Sequence, residues 1–460
     1  MERLVSNPAL VSHGRGGNPG TTGAYPWVVV CFLTAIYTAA FIDRQILNLL
    51  VDPIKRSLVL SDTEVSLLQG LAFTSAYVLF SPFFGRLADR ANRRNILVAG
   101  AITWSIATMS CGLTTDYWVL FASRFGVGAA EACVSPAAWS ILSDYFNREK
   151  LPRAMSVFLI GPYLGAGLAL VFGGLLIGVA SGFIADYPLL SGLEPWQFVF
   201  IAIGFPGVLL GLATLVVREP PRRSFAGGDA PAETYTIRET GAFFWARRAF
   251  FGRFYAAMTA IIIVLYALPA WMPAFLMRRH GADAATMGFE YGALVLVMGT
   301  CGVLSGPVIG RWIERRGYEG GTVMVAGVAA LALVPASIAL SLAPTYATAL
   351  AAAAVATFFF SMPQAMAASA LQLATPNGMR GMASAMYVFL VAVVGLGIAP
   401  TIVALFTDVV FRDPAMVGVS LSIVCGSSAA VGAWLAFRAL PHYRASLRQA
   451  EQEAADAAIP

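Results

Sequence analysis

The nonapeptide PFFGRLADR, residues 82–90, returns as PVIGRWIER at residues 307–315. The two share P-x-x-G-R-x-x-[D/E]-R at an offset of 225 residues, close to half of a 460-residue chain. Each copy closes an apolar stretch of about 20 residues, the length that crosses a hydrocarbon core of roughly 30 Å. Arg153 and Arg380, 227 residues apart, extend the correspondence, each standing just before a later apolar stretch of its half. The second and eighth stretches are therefore equivalents, and the chain reads as two six-helix halves repeated in parallel.

Composition agrees with a chain that lives in lipid. Hydrophobic residues make up 58% and charged residues 12%, with a mean hydropathy of +0.72, too apolar for a soluble enzyme with a solvated surface. Twelve spans are predicted, near 25–51, 63–85, 94–113, 117–143, 153–181, 196–217, 251–277, 286–310, 320–342, 345–373, 381–408 and 415–438. With the N-terminus inside, the outer loops hold only Lys55, Arg56, Arg278, Arg279 and Arg412, and the membrane holds Arg44 and Arg124. The remaining basic residues gather on one side, which predicts cytoplasmic termini. The net charge of +5 is then an orientation signal, with no nucleic-acid partner implied. The five cysteines all fall in apolar runs and behave as small hydrophobes, so neither a metal nor a cofactor is indicated.

The expected organisation is a polar tail at 1–24, an N-terminal bundle at 25–217, a linker at 218–250, a C-terminal bundle at 251–441 and a second tail at 442–460. The tails and the linker belong on the cytoplasmic side. The linker begins rich in Pro and Gly and ends as GAFFWARRAFFGRF, an amphipathic basic segment suited to the membrane surface.

Four charges lie where the chain should be at membrane depth: Asp43 and Arg44 in the first span, Arg124 and Glu131 in the fourth. Asp43 stands about 24 Å along its helix from Trp27, and Arg124 about 10 Å along its own from Tyr117, so the two helices can share one polar site. Charges at that depth cost several kcal/mol each unless paired or wetted, and they mark function by default. The competing reading is a structural ion-pair lock, Asp43 with Arg124 or Arg44 with Glu131. Arg44 shares a helical stripe with Tyr37 and Asn48, while Asp43 points about 100° away, toward a neighbouring helix. Gly128, between Arg124 and Glu131, lets another helix come close. All three histidines, His13, His280 and His442, fall in tails or loops. Asp43 and Glu131 are thus the buried groups able to exchange a proton, as burial favours the neutral acid and a nearby Arg the ionised one.

The second half offers no charge at mid-depth in its seventh, tenth and eleventh spans, but it supplies Tyr266, Met362, Gln364 and Tyr387. A site polar on one side and apolar on the other suits an amphiphile with an anionic head, held by Arg44 and Arg124. Asp62 and Glu64, in LSDTEVSLL, read as helix capping. In the repeated turn, Gly85, Asp89, Arg90 and Arg94 with Glu314 and Arg380 read as a cytoplasmic gate. Asp89 would face the N-terminal end of a helix in the other half, near Arg380, and hold that side shut in an outward-facing state.

These stretches carry a resemblance. GRLADRANRR (85–94) resembles the signature loop of the major facilitator superfamily, and GPYLGAG (161–167) its fifth-helix Gly-Pro motif. FIDRQ (41–45), the run from Arg124 through FGVGAAEA, and PRAMSVFLIGPYLGAG (152–167) are similar more narrowly to the Spinster family. That resemblance implies an all-α membrane fold of twelve helices in two pseudo-symmetric bundles and a secondary transporter with substrate between the halves. It further implies a sphingolipid or lysophospholipid substrate, proton dependence, and roles for Asp43, Arg44, Arg124 and Glu131. A carrier of small organic anions or drugs is the alternative, and no enzymatic constellation stands at membrane depth. The partners expected are a small amphiphile, protons and the bilayer, with the protein a monomer. The bias of 28 Arg to 2 Lys and the high Ala content point to a GC-rich bacterium and hence to its inner membrane.

Overall fold

The computed structural model describes residues 24–146, 150–222, 237–376 and 379–456. The N-terminal tail and most of the Pro- and Gly-rich linker lie outside the described residues. What is described is α-helical, with short 3₁₀ and π segments.

The first half comprises α1 (Tyr25–Leu49), α2 (Val51–Leu58), α3 (Asp62–Gln69), α4 (Leu71–Arg90), α5 (Arg93–Cys111), α6 (Tyr117–Glu131), α7 (Val134–Tyr145), α8 (Leu151–Phe158), α9 (Gly161–Asp186) and α10 (Pro195–Ala213). The second half comprises α11 (Ile237–Ala246), α12 (Arg248–His280), α13 (Ala284–Arg315), α14 (Gly321–Leu342), α15 (Tyr346–Ser361), α16 (Gln364–Leu373), α17 (Arg380–Leu390), α18 (Ala399–Leu405) and α19 (Val417–Asp456). Several of these join end to end, so eleven segments are long and apolar enough to cross a membrane. The helix at the position of the third expected span is α5. It has 19 residues and starts Arg93-Arg94-Asn95, which lowers its hydropathy below that of the others. It is nonetheless packed into the bundle, with Leu97, Ala101 and Trp104 buried.

Breaks within spans have local causes. α3 gives way to α4 at Gly70, where a Cβ would stand 2.6 Å from the carbonyl oxygens of Leu396 and Gly397. Those carbonyls belong to a π-helical stretch, Val391–Ile398. Pro400 follows closely: it lacks an N–H and its ring crowds the carbonyl four residues back, which loosens the ladder there. Between α8 and α9 the chain relaxes for two residues ahead of Gly161-Pro162, since a proline is tolerated in a helix's first turn and not in its interior.

The two ends of the molecule differ. α1 begins and α19 finishes at a basic end, where Tyr25 packs on Tyr145 and Tyr443 on Phe250. There Arg93 is held by Asp144 and Glu219, and Arg222 donates to the carbonyls of Ala88 and Ala91 at 2.8 Å. In α11, Phe243 and Phe244 turn onto Phe251 while Trp245 is exposed, an amphipathic arrangement. At the far end the halves meet: α9 packs on α13, α3 on α18, and α4 on the π-helical stretch.

Candidate functional site

The four membrane-depth charges converge inside the first half. Arg44 donates from NH2 to Glu131 Oε2 at 2.7 Å, so of the two possible ion pairs this is the one formed. Glu131 Oε1 has no partner among the described residues. Arg124 is fully buried and donates instead to backbone, to Asp43 O at 3.0 Å and Arg44 O at 3.4 Å. It thus clamps α6 to α1 without consuming either carboxylate. Asp43 is 2% exposed and turns toward α5, beside Thr108 and Trp104.

Arg44 is the least buried of the four at its side chain, 9% exposed. Its guanidinium carbon lies 4.4 Å from the ring centres of both Phe41 and Phe73 and 5.4 Å from that of Tyr77. Cation–π contacts of this kind contribute ~0.5–2 kcal/mol each, most when water is excluded. Phe73 reaches Arg44 because α4 and α6 touch at Gly128, where any Cβ would collide with the Phe73 carbonyl. The close approach expected of Gly128 is thus made by α4.

Tyrosines from both halves stand around this arginine. Tyr37 stacks on Phe158 with ring centres 4.6 Å apart and planes 3° from parallel. Tyr37, Tyr77 and Tyr266 pack on one cluster of buried apolar side chains, and a Cβ on Gly299 would stand 3.4 Å from the Tyr163 ring. Tyr387 donates to Gln364 Oε1 at 3.2 Å, joining the tenth and eleventh spans. All five tyrosines are half-buried, and Phe41, Phe73, Tyr77 and Tyr163 carry no sequence signal beyond aromatic character.

Two expected residues stand elsewhere. Met362 is buried with Ile313, Val325, Ala329 and Met366 inside the second half, because the Gly306 face of α13 sits against its backbone. Asn48, a full turn past Arg44, bonds Gln45 and accepts from Gln69 at 3.1 Å. Gln69 in turn donates to Ala270 O of the other half at 3.1 Å. Asn48 therefore belongs to the junction between the halves at the far end.

That junction is a charged latch. Arg278 donates to Asp52 at 2.7 and 2.9 Å and to Asp62 at 2.7 and 2.8 Å, and Lys55 reaches Asp62 at 2.7 Å. Asp408 accepts from Thr63 N at 2.6 Å and Thr63 Oγ1 at 2.7 Å. Ser61 and Glu64 do form the capping box expected of this stretch. The expectation for Asp62 needs correcting: it is fully buried under Arg278 and Lys55, with its carboxylate directed to the other half. At the basic end Asp89, Arg90, Glu314 and Arg380 are exposed, and Gly85 has open space beside it. Arg380 donates to Thr375 O at 3.1 Å in its own half, and Arg94 to Asn95 Oδ1 at 3.1 Å.

A sequence profile of the Major Facilitator Superfamily matches residues 33–400. An MFS-type efflux pump of Mycolicibacterium smegmatis is 28% identical over 420 residues, covering 89% of this chain and 92% of that protein. Protein spinster homolog 3 of Danio rerio is 27% identical over 63% of this chain and 58% of its own length. The sphingosine-1-phosphate transporter of Mus musculus is 26% identical over 60% and 50% respectively. The chain thus spans little more than half the length of these spinster relatives. A bacterial homologue of the human lysosomal transporter Spinster, solved inward-facing and unoccupied, superposes with a TM-score of 0.78 at 25% identity, covering 93% of this chain and 98% of that one. The same homologue in its occupied form gives 0.76. The chain belongs to the Major Facilitator Superfamily and is a Spinster-like membrane transporter, not an enzyme.

Proposed function

We propose that this transporter carries an amphiphile with an anionic head and an apolar tail, of lysophospholipid or sphingoid type, by alternating access coupled to protons. The observation that carries this reading is the setting of Arg44. It is a guanidinium sandwiched by aromatic faces, paired to Glu131 and bordered by half-buried tyrosines of both halves. An anionic head exchanges for Glu131 at the guanidinium, and the aromatic rings accept the adjoining chain. Arg124, holding backbone carbonyls, supplies positive potential behind the head.

When Arg44 changes partner, Glu131 is left as a buried carboxylate without a counter-charge. Such a group costs several kcal/mol and takes a proton instead. Asp43 is the second acid of the cluster, and together they link the charge of the site to the side it faces. The latch of Arg278 with Asp52 and Asp62 closes the far end while the Asp89 gate at the basic end is disengaged. With the basic end taken as cytoplasmic, by the distribution of Arg, this is the inward-facing state. The protein works as a monomer in a bacterial inner membrane, with both termini inside.

A second reading, extrusion of small organic anions or drugs, is favoured by the extent of the match to the mycobacterial efflux pump. Transport into and out of proteoliposomes, with and without a pH gradient, separates the two. The probes are a lysophospholipid, sphingosine 1-phosphate and a small organic anion, tested on wild type, Asp43→Asn and Glu131→Gln. Gradient-accelerated movement of an amphiphile, lost in either variant, supports the proposal. Full gradient-driven transport in both variants reduces the charges to a structural lock, and movement of the small anion alone favours the efflux reading.

A further inference from the structure

Asp43 does not share the surroundings of Arg44. One position along α1 turns it about 100°, out of the aromatic sandwich and into the interior of the first half. There it meets α5, beside Thr108 and Trp104, both fully buried. Thr108 Oγ1, Trp104 Nε1, Ser105 Oγ and Arg124 Nε are all buried polar atoms without a hydrogen-bond partner among the described residues. On the far side α10 presents Gly207, where any Cβ would run into Ser105 Oγ and stand 4.0 Å from Trp104 Nε1. A buried, unpaired hydroxyl or indole N–H costs about 1–3 kcal/mol. Valine would fill the space of Thr108 and phenylalanine much of that of Trp104 without that cost. Two such donors, Thr108 and Trp104, beside one buried carboxylate are a surround that packing alone does not require.

We propose that Thr108 and Trp104 are positioning residues for Asp43, donating an O–H and an N–H to its carboxylate when it is ionised and releasing it when it is protonated. α5 thereby sets the pH at which Asp43 exchanges its proton. The other groups facing Asp43 are Glu131 and Arg124 of α6 and Cys111 of α5, with Arg44 next to it on α1. α10 has no charged residue, and the one charge of α9, Asp186, ends that helix. Arg278 of α12 is engaged by Asp52 and Asp62, and the charges of α2, α3, α7 and α8 lie near helix ends. Hydrogen bonds to an ionised acceptor are the stronger kind, so losing one favours the protonated acid.

This inference rests on the proton-carrying reading of Asp43, and infrared titration of the protein in liposomes tests it without any substrate. In wild type a carboxyl C=O stretching band titrates that is absent from Asp43→Asn. Thr108→Val moves its midpoint up by about one pH unit, the size of one charge-assisted hydrogen bond, and shifts the band frequency. Thr108→Ser restores both, and Trp104→Phe moves the midpoint in the same direction. If the band titrates in wild type but Thr108→Val and Trp104→Phe leave midpoint and frequency unchanged, the inference fails and the reading of Asp43 stands. If no titrating band disappears in Asp43→Asn, Asp43 carries no exchangeable proton and both fall.

Discussion

Arg44 shows how much one side chain can be asked to do at membrane depth. It neutralises Glu131, packs against three aromatic rings and keeps some exposure. Removing one member of a buried pair leaves the other uncompensated, which typically costs 3–5 kcal/mol, whereas replacing both by apolar residues is often close to neutral. Arg44→Met is therefore expected to lower stability by about 3 kcal/mol. The double variant Arg44→Met/Glu131→Leu should return to within about 1 kcal/mol of wild type, measured by thermal unfolding in detergent. Equal losses in the single and double variants would mean that Glu131 is compensated elsewhere. The four charges were legible in the sequence because a charge in an apolar run has few explanations. Which of them pair was not, since the choice turns on Arg124 donating to the carbonyls of residues 43 and 44. A bond from a side chain to another helix's backbone leaves no pattern of residue types. Nor did Asp62 announce itself: Ser-Asp-Thr-Glu has the form of a cap, and Ser61 and Glu64 do cap, which hid an acid turned toward Arg278.

Between elements, the halves also meet with glycine against backbone. A Cβ on Gly288 of α13 would meet Leu170 O at 2.5 Å and the Gly174 Cα at 2.9 Å, and Gly167 and Gly292 meet each other's carbonyls in the same way. GPYLGAG was legible as a motif of α9, but its partner was not, because the pairing of α9 with α13 is set by the three-dimensional arrangement of the two halves. Such a contact exists only while α9 and α13 are pressed together, so a side chain there penalises one conformation. Gly288→Val is expected to disfavour the state seen here by about 1–3 kcal/mol, the usual cost of overpacking, and to raise the outward-facing population by roughly one to two powers of ten. Spin labels at Val59 and Val410, both exposed near the far end of their halves, would read this as a longer inter-label distance. Cys31 and Cys301, the exposed cysteines, would first be replaced by Ala. An unchanged distance distribution would show that α9 and α13 stay in contact in both states.

For the whole molecule, the repeat that identifies the fold also makes its two ends unequal. PFFGRLADR and PVIGRWIER both sit at the basic end, where Asp89 and Glu314 are exposed in this state. The far end has no such repeat, and its closure sets Asp52 and Asp62 against Arg278 and Asp408 against Thr63, with Lys55 pairing Asp62 within the first half. Alternating access then needs each set of contacts to stabilise one state only, since a contact equal in both states shifts no population. With the structure read as the inward-facing state, as proposed, Arg278→Gln is expected to remove stabilisation from that state alone. Asp89→Asn, by the same argument, is expected to remove it from the outward-facing state if the carboxylate meets the helix N-terminus near Arg380 there, as the gate reading holds. The Val59–Val410 label pair should therefore report a longer mean distance for Arg278→Gln and no lengthening for Asp89→Asn. The double variant should lie between Arg278→Gln and wild type, because the two losses oppose each other on one equilibrium. Each loss is on the order of 1–2 kcal/mol for partly exposed charges, enough to change the population ratio about tenfold. Should the double variant match Arg278→Gln instead, Asp89 takes no part in closing the basic end, and the repeated turn serves orientation of the chain alone.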